Sequence, residues 1–226
     1  MEANGFDTMT HQDLKSLLVF RMTHIDNMSF IVANGLWSKL SGVQDPNFKA
    51  IGNPAIIDRR TNKPVGVIPP GGVLGEYIPF YFSGHSPMLL NIATGYGVDK
   101  VPQKDIVFLV CNAIEIIEAG IPYCFTDGNA AHSISAFYNT PSSLGELDWE
   151  TIGSTVWKNT DVDYDRVRKK MSEFLVKGHL PASFIKAIVV RDAEAEKKVM
   201  ASPTGVLPTY SVKIDTNNKL YYCGYD

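Results

Sequence analysis

The sequence predicts an α+β domain built from mainly antiparallel strands. Two observations lead there. Short runs rich in β-branched and aromatic residues recur between Gly, Pro and Asn breakers. Helical stretches fall irregularly between them, and many are too short to cross over a parallel sheet. The chain has 226 residues, 45% hydrophobic and 20% charged, an ordinary globular composition. With no internal repeat and no linker run, one domain over 1–226 is expected, its ordered core spanning about 17–223.

Taken in order, "LLVFRMTHI" (17–25) reads as a strand without a breaker. Asp26 then caps a helix over "NMSFIVAN", and Gly35 supplies its stop. Residues 38–76 are rich in Gly, Pro and Asn and read as mostly loop, ending in "PPGGVLGE". A loop that long in a compact domain is usually functional. "YIPFYF" (77–82) is a strand and "SPMLLNIATG" (86–95) a helix with a Ser cap. The apolar run in "DIVFLVCN" (105–112) makes the strongest strand, followed by the helix "AIEIIEAG". "IPYCFTD" (121–127) is a strand and "NAAHSISAFYN" (129–139) a helix. After "DWETIGSTVW", the helix "YDRVRKKM" leads into a strand beginning at Glu173. "ASFIKAI", "AIVVRD", "AEAEKKVMAS" and two terminal strands, "TYSVKID" and "KLYYCG", complete the chain.

Several classes of function are disfavoured. No apolar stretch reaches the roughly 18 residues a membrane span needs. The polar, acidic "MEANGFDTMTHQD" is not a secretory signal, and the three cysteines, Cys111, Cys124 and Cys223, are expected to be thiols of a cytoplasmic protein. Neither they nor the five histidines show metal-ligand spacing, so no metal is expected. A net charge of −3 leaves nucleic acid only a local patch, "DRRTNK" (58–63) or "RVRKK" (166–170). The glycine-rich phosphate loops, HExxH and GxSxG are absent.

Glu173 is the anomaly. It stands where a basic stretch gives way to the apolar "FLV", and a charge at the mouth of a buried strand is costly unless it is paired, solvated or used. Its plain reading is a strand-edge cap, or an ion pair with Lys169 or Lys170. Thr23 and Ser38 read equally as helix caps, His24 and Met88 as packed side chains, and Arg60 as a solvated arginine. Tyr77, Phe80, Tyr81 and Phe82 share one strand, so part of the set belongs to the core and the rest can face a cleft.

Four stretches together, "THIDN" (23–27), "PPGGVLGEYIPFYFSGHSPML" (69–89), "FTDGNAA" (125–131) and "SEFLV" (172–176), resemble in order and spacing the DarT family of toxins, which ADP-ribosylate DNA bases using NAD. The resemblance runs from about residue 17 to the final "YYCG". It implies the ADP-ribosyltransferase fold, a split pair of small antiparallel sheets with surrounding short helices and NAD as co-substrate in the cleft. The family's glutamate falls on Glu173 and its arginine on Arg60, which would also contact NAD. The NAD-contacting strand end falls on Arg21, Met22 and Thr23, with Ser38 further along. Residues 129–173 correspond to the substrate-recognition loop, and one family variant has His where this chain has Asn129. Tyr81, Met88, Asn129 and Arg166 are the DNA-binding candidates, and Arg168 and Lys169 would assist in holding phosphates.

The likeness is nearer the thymidine-modifying branch than the guanosine one. It implies a monomeric toxin acting on thymine in single-stranded DNA, opposed by a macrodomain antitoxin that removes the modification. The alternatives are a same-fold transferase acting on guanine, RNA or protein, and a nucleotide-binding module without catalysis; a glutamate at 173 argues against the last.

Overall fold

The computed structural model describes residues 16–156, 158–201 and 210–225. The acidic N-terminal stretch, Trp157 and the first residue of "TYSVKID" therefore lie outside the described residues. In chain order the strands are β1 (Leu18–His24), β2 (Leu36–Trp37), β3 (Tyr77–Tyr81), β4 (Ile106–Asn112), β5 (Tyr123–Thr126), β6 (Phe137–Tyr138), β7 (Glu173–Lys177), β8 (His179–Leu180), β9 (Ile185–Val190) and β10 (Ser211–Ile214). The α-helices are α1 (Met28–Asn34), α2 (Pro54–Thr61), α3 (Pro87–Thr94), α4 (Ala113–Glu118), α5 (Trp149–Gly153), α6 (Arg166–Lys170) and α7 (Ala193–Met200).

Eight strands share one sheet in the order β10-β9-β4-β1-β3-β7-β5-β6, and β2 pairs with β8 apart from it. The strand pairs are antiparallel except β9–β10, whose connection runs through α7. All seven residues of β4 are buried, which is why it reads as an unbroken apolar run. It matches β1 over seven pairs, from Leu18–Asn112 to His24–Ile106. β7 lies between β3 and β5 and matches β3 over five pairs. Between these halves, β1 and β3 are matched only at Phe20–Tyr81.

The expected split is thus a near-break inside one strand order. Pro79 helps to explain it, since a proline has no N–H to give and suits a strand that lacks a ladder on one side. Arg21 Nη1 bridges the gap instead, donating to the Pro79 carbonyl at 3.0 Å. Phe80 on β3 and Phe82 just after it enter the main core while Tyr77 and Tyr81 face the other way, as the alternation requires.

Four local expectations are corrected. The 38–76 segment is not mostly loop: Asn53 accepts N–H bonds from Ala55 and Ile56, Pro54 occupies the first helical position, and α2 carries Arg60. Asp26 is not the cap after β1; His24 Nδ1 accepts the Asp26 N–H, and a 3-10 turn over Ile25–Asn27 precedes α1. No helix forms over 129–139. There Asn129 Oδ1 takes the Ala131 N–H and Asp127 Oδ1 the Ala136 N–H, side chains competing for groups that a helix would use. "KLYYCG" is not a strand: the Asp215 carboxylate accepts the N–H groups of Lys219, Leu220 and Tyr221, and the buried Tyr221 hydroxyl donates to Ile106 O and Val189 O.

Candidate active site

Glu173 opens β7 and is fully buried. Register sets it opposite Tyr81, the residue at which β3 meets β1. Its backbone N–H donates to the Thr126 hydroxyl at 3.3 Å, and that hydroxyl donates to Gly128 O at 2.6 Å. Oε1 accepts the Ala130 N–H at 2.9 Å, and Oε2 accepts Arg60 Nη2 at 2.7 Å. The carboxylate is therefore a paired charge held on both oxygens, the condition under which burial is tolerable.

Neither Lys169 nor Lys170 is its partner. Lys169 pairs with Asp148 and Asp163, and the buried Lys170 ammonium donates to Ser83 Oγ, Ile152 O and Ser154 O. Burial pushes the Lys170 amine down to about 8. The basic run before Glu173 is likewise not a free phosphate comb. Arg168 is bonded to Asp127 and Asp165, and Arg166 Nη2 donates to Ser154 Oγ and Val156 O. These bonds fix the start of β7 and leave little of the run open.

Three cationic side chains surround the one carboxylate. For Arg60 burial opposes the charge, but the Coulombic pull and hydrogen bonds of Glu173 outweigh it and hold the guanidinium above its ordinary value. Arg21 is pushed down to about 10 by burial and then by Arg60. Its Nε is buried without a hydrogen-bond partner. Lys63 is the third cation, lowered by burial and by Arg60. The Tyr81 phenol is raised by burial and by Glu173, so it stays a neutral donor, aimed at Met88 Sδ at 3.6 Å.

Seven of the candidates named from sequence line one cavity of about 500 Å³: Arg21, Met22, Thr23, Ser38, Arg60, Tyr81 and Met88. That volume suits a large nucleotide. Thr23 Oγ1 accepts from Asn27 Nδ2, which also reaches Lys49 O, while Asn27 Oδ1 accepts the Lys49 N–H. Asn27 thereby ties the 49–52 segment of the cavity wall to β1. Ser38 is buried, its N–H bonded to Gly178 O just past β7. Phe30, Phe48 and Ile57 supply apolar wall.

The remaining candidates stand differently. Asn129 does not line the cavity; its amide is turned to Ala131 N–H and to Met171 Sδ, and it shapes the turn that delivers Ala130 to Glu173. Arg166 is on α6, away from the cavity wall. Two contributors were missed in the sequence. A backbone N–H such as that of Ala130 carries no sequence signal. Thr126, ahead of Asp-Gly, sits in a turn pattern that offered one.

An orphaned guanidinium nitrogen on the wall of a cavity lined by two arginines and two lysines, Arg21, Arg60, Lys39 and Lys49, suits an anionic dinucleotide, so the residues fit NAD. Among the described residues no group of three or more His, Cys, Asp or Glu is placed to hold a metal, and no helix is long and apolar enough to cross a membrane.

Comparison with known proteins agrees with this geometry. The chain is 33% identical over 191 residues to a DNA ADP-ribosyl transferase of Escherichia coli O127:H6, covering 84% of this chain and 87% of that protein. It is 35% identical over 183 residues to a DNA ADP-ribosyl transferase of Thermus sp. strain 2.9, covering 80% and 85%. Among solved structures, Thermus sp. 2.9 DarT in complex with ADP-ribosylated ssDNA superposes with a TM-score of 0.79 at 30% identity, over 92% of this chain and 97% of that one. The same Thermus protein in complex with NAD+ gives 0.75 at 29% identity, over 92% and 98%. A sequence model of the family described as "ssDNA thymidine ADP-ribosyltransferase, DarT" matches residues 20–222. With its split sheet, its buried Arg–Glu pair and these relatives, the chain belongs to the DarT family.

Proposed function

We propose that this protein transfers ADP-ribose from NAD to thymine in single-stranded DNA, with Glu173 and Arg60 as the groups acting on the reacting atoms. The observation that carries the reading is the 2.7 Å contact between Arg60 Nη2, on the wall of a nucleotide-sized cavity, and the fully buried Glu173 behind it. NAD supplies the ADP-ribosyl group, whose bond to nicotinamide breaks with positive charge developing on the ribose. A fixed carboxylate beside that carbon stabilises the charge as it grows, and its geometry costs nothing to organise at the moment of reaction. Glu173 also accepts the proton that the attacking base nitrogen must lose. Arg60, on the cavity wall, balances the carboxylate and binds anionic oxygen. Arg21, Met22, Thr23 and Ser38 line the nucleotide's part of the cavity.

The thymine ring nitrogen is hidden in a duplex and free in a single strand, which favours the unpaired substrate. Tyr81 and Met88 offer flat and polarisable contacts to a base; Asn129 and Arg166 act indirectly, through the turn that delivers Ala130 and the helix that leads into β7. The family resemblance supports a toxin role, a macrodomain antitoxin as partner, and a cytoplasmic, monomeric enzyme.

The test is incubation with NAD and oligonucleotides carrying one T, G, A or C in a fixed context, single-stranded and annealed, read by mass spectrometry. One ADP-ribose mass on single-stranded T, lost in Glu173→Ala, is expected; loss of one charge-stabilising group costs about 10²–10³-fold. Equal labelling of duplex, or activity undiminished in Glu173→Ala, overturns the reading.

A further inference from the structure

Lys63 follows α2 by two residues and closes the basic patch "DRRTNK" (58–63), in which nothing marks it apart from its neighbours. Its ammonium donates to two backbone carbonyls, Ala130 O at 2.7 Å and His132 O at 2.8 Å. The same Ala130 residue turns its N–H to Glu173 Oε1 at 2.9 Å. On its own side, the Lys63 N–H donates to Arg60 O at 3.0 Å, and Arg60 Nη2 reaches Glu173 Oε2 at 2.7 Å. These contacts close a ring: carboxylate, guanidinium, the end of α2, ammonium, the Ala130 residue, carboxylate.

The ring matters because its two anchors come from distant parts of the chain. Arg60 arrives on the last turn of α2, and Ala130 on an irregular turn with no helix or strand of its own. Arg168 O accepts the Asn129 N–H and so holds that turn from the α6 side. Lys63 holds it from the α2 side. Its Nζ also lies over the Phe137 ring, 6.0 Å from the centroid. Neither carbonyl it bonds is part of a strand ladder or helix. A half-buried cation bonded to two turn carbonyls gives general stability little, but it fixes the distance between the two donors that meet on one carboxylate.

We propose that Lys63 is a positioning residue for ADP-ribosyl transfer: it locks the 130–132 turn to the end of α2, so that the Ala130 N–H and the Arg60 guanidinium orient one carboxylate. The proposal rests on Glu173 being the charge-stabilising group. A carboxylate freed from one of its two holders rotates about its last torsion, and displacement of a reacting group by about 1 Å costs on the order of 10²-fold.

Three variants test it: Lys63→Met keeps the stem and removes the donors, Lys63→Arg keeps donors, and Glu173→Ala reports on the underlying reading. Rates of transfer to a T-containing single strand are measured against NAD concentration, with NAD affinity of each variant measured separately. Lys63→Met is expected to lower kcat about 10- to 100-fold, leave the KM for NAD within about threefold, and be restored most of the way by Lys63→Arg. Wild-type kcat in Lys63→Met with an inactive Glu173→Ala overturns the role of Lys63 and leaves the Glu173 reading standing. An active Glu173→Ala removes the basis for both. Parallel loss of kcat and NAD affinity, or no restoration by arginine, makes the contact a scaffold bond and also overturns the proposal. Should Lys63→Met fail to fold, Lys63→Gln, which retains one donor, is judged by the same criteria.

Discussion

Replacing Arg60 by Met removes the counter-charge of a carboxylate with 0% side-chain exposure. What remains on Glu173 is one N–H, from Ala130 at 2.9 Å, and the weaker fields of Arg21 and Lys63. Breaking a buried pair by deleting one partner costs about 3–5 kcal/mol, because the surviving charge is left dehydrated. The cavity beside Arg60 lets water approach the vacated position, so the lower end, about 3 kcal/mol, is expected. For a chain of this size that lowers Tm by about 6–12 °C. Glu173→Gln should cost less: Gln keeps the acceptor for Ala130, and the Arg60 side chain, 16% exposed, can turn to cavity water. In the double variant Arg60→Met/Glu173→Gln no uncompensated charge remains, so its loss should fall short of the sum by about 1–3 kcal/mol. Urea unfolding at pH 7, followed by tryptophan fluorescence, measures all three. If Arg60→Met unfolds within about 0.5 kcal/mol of wild type, or the two losses simply add, the carboxylate is hydrated and the account of the site fails.

Three further changes probe the frame around the pair. Lys170 is pushed down to about 8 from an ordinary 10.5, so between those values the unfolded chain binds more protons and stability relative to Lys170→Met should rise with pH; urea midpoints of the two proteins between pH 7 and 10 that track in parallel refute this. Asp215→Ala leaves three backbone N–H groups without their acceptor and should cost about 1–3 kcal/mol while transfer to DNA stays at the wild-type rate; a change in rate without one in stability counts against the assignment. Gly35 has φ +75°, and a Cβ there would lie 2.5 Å from Leu180 O, so Gly35→Ala should lose more than about 1 kcal/mol, whereas an unaltered Tm would mean the β2–β8 ladder shifts freely.

How much of this was legible before the fold was known depended on whether the signal was local. β4 was plain, because seven consecutive buried residues write their environment into the sequence. α2 was hidden by the Pro, Gly and Asn around it, and also by its own placement. Among its residues only Thr61 is buried, so no apolar stripe formed. The start signal was nevertheless present in Asn53-Pro54. The 129–139 segment erred in the opposite direction: its alanines suggest a helix, but Asp127 and Asn129 capture the backbone first.

The site divides along the same line. Glu173 was legible as an anomaly, a charge where burial was expected. Its partner was not, since Arg60 lies 113 positions away and nearer lysines offered themselves. Those lysines failed for a physical reason. Lys169 has Asp148 and Asp163 at hand, and Lys170 is turned to carbonyls at the C-terminal end of α5. With both engaged, the carboxylate's charge is met by Arg60, whose guanidinium also faces the cavity. Glu173 itself is not on the cavity wall, while Arg60 is. Any ligand that draws Arg60 toward its own anionic oxygens therefore weakens the Arg60–Glu173 contact and leaves the carboxylate with charge to direct at a cation. Co-substrate binding and the readiness of Glu173 are in this way coupled through a single side chain. That coupling gives a physical reason for an ion pair, rather than a lone carboxylate, at the start of β7.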